Sequence, residues 1–104
     1  MIELGVVKQH LRVEGEHEDA LVGVYLSAAV DAAERYLGRK LYADQVPEEE
    51  EQGLVINPSI TAAILLITGH LYENREEVVI GTIATRLPMT SESLLWPYRL
   101  DIGL

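Results

Sequence analysis

The chain predicts an all-α fold in which two long antiparallel helices carry shorter amino- and carboxyl-terminal helices, with an acidic loop between the long pair. Three observations predict it. A helical-period apolar stripe runs from about Glu18 to Leu37, a second and more apolar run opens at Asn57-Pro58, and the stretch between them holds a proline and four consecutive glutamates. A chain of 104 residues is one domain, spanning 1–104. A domain of that size hides only about two-thirds of its unfolded surface, and an apolar fraction of 48% is ample for its core.

The elements follow in chain order. Leu4 to Leu11 reads as a short helix, weakened by Gly5. In the first long helix Leu21, Tyr25, Ala28, Ala32 and Tyr36 form one apolar stripe, while Ser27, Asp31, Glu34 and Arg35 gather on another face. Glu18 and Asp19 place negative charge at the positive helix end. Gly38 supplies a left-handed stop, with Arg39 and Lys40 near the negative end. At about 1.5 Å per residue this helix is roughly 30 Å long.

Residues 43–56 form a variable excursion. Pro47, Glu48, Glu49, Glu50, Glu51 and Gly53 predict an exposed acidic tip, because four adjacent like charges repel and stay solvated, with short extended pieces as possible flanks. The second long helix begins with Asn57 as cap and Pro58 at the first helical position, and runs to Glu73 or Glu77. Ile60, Ala63, Ile64, Ile67 and Leu71 make its stripe, and Ala62, Leu65, Leu66 and Gly69 leave little wet face before His70. Such a helix needs cover on more than one side, from the shorter elements or from neighbouring subunits. Ser91 to Trp96 reads as a brief helix stopped before Pro97, and residues 100–104 as a mobile tail.

Charge and composition exclude several functions. A net charge of −9 and a pI near 4.6 oppose ordinary nucleic-acid binding, which needs cations to displace counterions from phosphates. Any DNA role has to be non-adhesive. The chain has no stretch of about 20 uncharged apolar residues, so no membrane span or membrane partner is expected, and Met1-Ile2-Glu3-Leu4 lacks the features of a secretory signal. Without cysteine there is neither a disulfide framework nor a thiolate metal site.

Catalytic chemistry finds little footing. His70 and Glu73 have the spacing of half a carboxylate-bridged metal site, but the second half is missing, and Glu14 with His17 falls at a loop-to-helix junction. Ser27, Ser59, Ser91 and Ser93 lack a nucleophile setting, and Gly38-Arg39-Lys40 lacks the rest of a phosphate loop. No enzyme, cofactor or metal is expected. Tyr72 and Arg75 share a helix face, and they either lock the fold or meet a neighbouring subunit. Leu94, Leu95 and Trp96 close the core or join an interface, whereas Tyr98 and Arg99, beyond Pro97, suit a partner surface.

One pattern goes further. Gly69-His70-Leu71-Tyr72-Glu73-Asn74-Arg75-Glu76-Glu77, then Leu87-Pro88, then Leu94-Leu95-Trp96-Pro97-Tyr98-Arg99 resembles the small head-tail connector proteins of long-tailed double-stranded DNA phages and prophages. Val7-Lys8, Leu11-Arg12-Val13, Glu18-Asp19, Leu21 and Ala32-Ala33-Glu34 with Tyr36-Leu37-Gly38-Arg39 resemble that family's opening segment in the same order. The resemblance implies a virion protein at the head-tail junction, made in the bacterial host cytoplasm. It implies a ring-shaped homo-oligomer, dodecameric in the virion, that docks under the portal protein and meets a tail-side stopper or tail completion protein. DNA passes through the ring without specific binding. The candidate subunit or portal contacts are Tyr72, Arg75, Trp96, Tyr98, Arg99, Leu100 and Ile102, and the candidate channel-facing loop is Glu48, Glu49, Glu50 and Glu51. The competing reading is a small cytoplasmic helical interaction module without a viral role. A hydrolase with an unrecognised acidic site is a third.

Overall fold

A computed structural model describes residues 2–74 and 88–100. Their regular structure is helical apart from one very short ladder. Helix α1 spans Leu4–Leu11, α2 Asp19–Leu37, α3 Pro58–Glu73 and α4 Met89–Leu95, and a 3-10 turn follows over Trp96–Tyr98. Strands β1 (Leu41–Tyr42) and β2 (Leu54–Val55) pair in parallel, Leu41 opposite Leu54 and Tyr42 opposite Val55.

The helix ends obey local chemistry. Arg12 closes α1 in the left-handed region at φ 60°, and the Val13 N–H returns to the Lys8 carbonyl at 3.0 Å. Gly38 closes α2 at φ 67°, a conformation that costs glycine nothing, and donates its N–H to Glu34 O at 2.9 Å. Asn57 caps α3 through Oδ1, which accepts from the Ile60 N–H at 2.9 Å, and Pro58 occupies the first turn, where its missing donor does no harm. The terminal helix starts two residues earlier than its serine-based reading. It begins directly after Pro88, and Trp96 belongs to the tighter turn rather than to the α-helix.

Helix α3 is the centre of the molecule. Its stripe of Ile60, Ala63, Ile64, Ile67 and Leu71 is buried as expected, against Ala29, Ala32, Ala33 and Leu37 of α2 and Leu95 of α4. Burying an aliphatic side chain of this kind stabilises by about 1.5–3 kcal/mol, so this seam dominates the fold. Thr68, also buried, donates its hydroxyl to Ile64 O at 2.7 Å and so satisfies itself within its own helix. Since α1, α2 and α4 all pack on α3, its cover comes from the same chain, and its apolar character does not by itself demand a neighbour.

The face of α2 differs from the sequence reading by about one position. Val22, Ala29, Ala32, Ala33 and Leu37 are buried, whereas Leu21 is exposed and Tyr25, Ala28 and Tyr36 are half-buried. Small alanines let α2 approach the isoleucines of α3 closely. The two tyrosines are half-buried at the rim, packed against the core. At the other end of α2, Lys8 Nζ meets Asp19 Oδ1 at 2.8 Å and Gly15 O at 2.5 Å, tying α1 to the start of α2.

Candidate functional site

Arg39 organises the end of the molecule where α2 stops. Gly38 turns the chain, so the next side chain leaves the helix sideways instead of continuing along it. Its Nε donates to Gln52 O at 2.9 Å, Nη2 to Gly53 O at 3.0 Å and Nη1 to Tyr98 O at 3.2 Å. One guanidinium therefore holds the root of the acidic loop and the carboxyl-terminal turn together, using the planar fork that lysine lacks. Beside it Glu34 Oε2 accepts from the Leu41 N–H at 2.8 Å, which fixes the first residue of β1. The parallel ladder follows, with Leu54 N–H donating to Lys40 O and Ile56 N–H to Tyr42 O, both at 2.9 Å.

The loop is built outward from that anchor. Two tight turns, Glu50 N–H to Pro47 O and Gly53 N–H to Glu50 O, each 3.0 Å, present Glu48, Glu49, Glu50 and Glu51 to solvent. Gly53 is required by space: a Cβ there would lie 2.7 Å from Val46 Cγ1 and 2.8 Å from Tyr42 Cε2. The flanking pieces are extended, as one reading of the sequence allowed. Their pairing with each other in parallel was not anticipated.

The carboxyl-terminal turn carries the exposed aromatic and the cation. Trp96 is 59% exposed, and Tyr98 is half-buried against the core. The Arg99 guanidinium lies 5.0 Å from the Tyr36 ring centroid and 5.7 Å from that of Trp96. Leu100 donates its N–H to Leu37 O at 2.9 Å, so the chain runs alongside the end of α2.

Tyr72 sits in a different setting. Its hydroxyl donates to Glu18 Oε1 at 3.0 Å, and its ring meets Tyr25 edge-on with centroids 6.5 Å apart. These contacts join α3 to the start of α2. Arg75 and Ile102 lie outside the described residues, as does the segment between Asn74 and Pro88. The expected contact residues thus divide into Tyr72, engaged within the fold, and the group of Trp96, Tyr98, Arg99 and Leu100 at the opposite carboxyl-terminal site. Arg39, Glu34 and Tyr36 were not singled out as site residues. The one available signal was an arginine directly after a helix-stopping glycine.

Among the described residues no group of three or more His, Asp or Glu is placed to hold a metal ion. His70 instead receives Asn74, whose Nδ2 lies 3.0 Å from its carbonyl oxygen and 3.5 Å from its Nδ1. No helix among the described residues is long and apolar enough to cross a membrane.

Polar groups tie segments together beside an exposed aromatic and cationic turn in a small, mostly helical protein. Residues 1–99 match the family described as Phage gp6-like head-tail connector protein, and the chain belongs to that family. It is a family of phage structural connectors, not of enzymes. No curated protein and no solved structure matches the chain.

Proposed function

We propose that the protein is a subunit of the head-tail connector ring, docked under the portal and linking the DNA-filled capsid to the tail. Membership of the connector family over residues 1–99 is the observation that carries this reading. Copies assemble around an axis, one side of the ring meets portal and the other a tail-side stopper or completion protein. DNA moves through the centre. With a net charge of −9 per subunit, the wall repels phosphates and gives the genome nothing to adhere to.

The portal contact is assigned to the carboxyl-terminal end, where Leu100 runs beside the end of α2 and Ile102 lies just past the described residues. Apolar residues alternating with Asp101 and Gly103 suit an extended segment that orders on a partner. Glu48 to Glu51 belong to the channel side of the subunit, on the strength of their exposure and charge.

Negative-stain electron microscopy of the purified protein, alone and mixed with portal, tests the reading. Closed rings are expected in at least one condition, because mass action populates the ring once concentration or a partner favours it. Monomer throughout, with portal present at high concentration, would leave the interaction-module reading in its place. Duplex DNA at physiological salt is expected to bind no measurable protein.

A further inference from the structure

Arg12 and Arg99 are both exposed arginines with no carboxylate partner among the described residues, and of the two Arg99 lies over aromatic rings. Lys8 is paired with Asp19 and Arg35 with Asp31, and Arg39 is spent on three carbonyls. Lys40 lines an open depression together with Glu50, on the loop's own side. Arg99 is exposed, yet it lies over two aromatic rings instead of beside a carboxylate. The rings hold the guanidinium in place while accepting none of its side-chain N–H donors in ordinary hydrogen bonds. Among the described residues those donors have no acceptor. A guanidinium restrained in this way has lost part of its side-chain freedom in advance and presents a fork that matches a carboxylate.

The unsatisfied acids are close by in the fold but on the other side of Arg39. Its Nε and Nη2 face the loop root at Gln52 and Gly53, and its Nη1 faces Tyr98 in the turn. Loop and turn therefore flank one side chain at one end of the molecule, with acids on one flank and a cation with an aromatic on the other. Two complementary surfaces at the same level of a subunit meet head to tail when copies are arranged around an axis, and such contacts form rings where the rotation between copies closes and open filaments where it does not. We propose that the acidic loop Glu48–Glu51 of one copy docks on the Trp96–Arg99–Tyr36 cluster of the next. This rests on the ring reading and supplies its lateral contact. Four carboxylates against one guanidinium leave a surplus, and that surplus faces the DNA path.

The test is charge reversal on each side, separately and in combination, with the full-length chain. R99E alone and the loop variant E48K/E49K/E50K/E51K alone are each expected to raise the concentration at which rings form by about tenfold, with unchanged helix content and melting. An equimolar mixture is expected to recover assembly, because lysines of one variant then meet Glu in place of Arg99 on the other, while the unaltered loop meets the unaltered Arg99. Ring formation by unmodified protein is expected to weaken as salt rises. Rings that form normally in both single variants overturn the contact and leave the ring reading intact. So does R99E protein that forms rings but no longer binds portal, which reassigns Arg99 to that partner. Folded variants that fail separately and fail again when mixed also overturn it. Unmodified protein that never forms rings, even with portal, removes the ring reading itself.

Discussion

Two polar anchors tie separate parts of the chain together at the two ends of α2, and they are built differently. At the Tyr72 end, one hydroxyl-to-carboxylate bond and an edge-on tyrosine pair join α3 to the start of α2. Both aromatics are half-buried and turned toward each other. At the Arg39 end, one guanidinium ties together three backbone carbonyls 13, 14 and 59 residues away, and the neighbouring aromatic and cation are exposed. The lesson is that an aromatic and an arginine in a promising pattern do not have the same meaning at both ends. At the first the aromatic makes contacts within the fold, to Glu18 and Tyr25. At the second Arg39 does the folding work, which leaves Trp96 and Arg99 available.

Replacing Arg39 tests this contrast most severely. Arg39→Ala strips three carbonyls of a charged donor, and hydrogen bonds of that type contribute about 1.5–3 kcal/mol each without simple additivity. A loss of about 3 kcal/mol in denaturant unfolding is expected, with Arg39→Lys recovering less than half. If lysine restores full stability, the fork geometry is irrelevant. Gly53→Ala attacks the same end by crowding: its new methyl collides with Val46 and Tyr42, and a cost of about 1–3 kcal/mol is expected in the same measurement.

At the other end, Tyr72→Phe keeps the ring contact with Tyr25 and removes the hydroxyl that donates to Glu18. It should cost about 1 kcal/mol and leave association with portal and with other copies untouched. A Phe variant of normal stability that no longer assembles would move Tyr72 from the fold to an interface. The smallest effect on stability belongs to Trp96→Ala, within about 0.5 kcal/mol for so exposed a side chain. Its effect is expected in sedimentation of assembled protein, where ring formation should weaken. A large drop in melting temperature with normal assembly would reverse the comparison.

What could be read from the residues depended on how local the signal was. Asn57-Pro58 and Gly38 place helix ends through neighbouring backbone groups, and both behave as their chemistry predicts. The stripe of α3 was legible because its isoleucines are both the most apolar residues and the buried ones. On α2 those two properties separate. Leu21, Tyr25 and Tyr36 drew the stripe along with Ala28 and Ala32, while the buried face that meets α3 is Ala29, Ala32, Ala33 and Leu37, mostly alanines whose value is their smallness. The extended flanks of the loop were visible in Leu54, Val55 and Ile56, but their partners were not, since a two-residue ladder has no periodicity. Arg39 was read only as a charge near a helix end. Contacts from a side chain to distant carbonyls leave no pattern in sequence, because the carbonyl is common to every residue.

Holding loop and turn on one guanidinium makes their equilibria interdependent. A ligand that grips the turn and draws Tyr98 away from Arg39 lowers the cost of releasing Gln52 and Gly53, and capture of the loop favours release of the turn by the same factor, as reciprocity of binding free energies requires. In a closed circle of identical copies, each loop seated on the next copy's turn would pass that bias onward. Engagement of one subunit by an incoming component would then be felt by its neighbour before that neighbour has made any contact of its own.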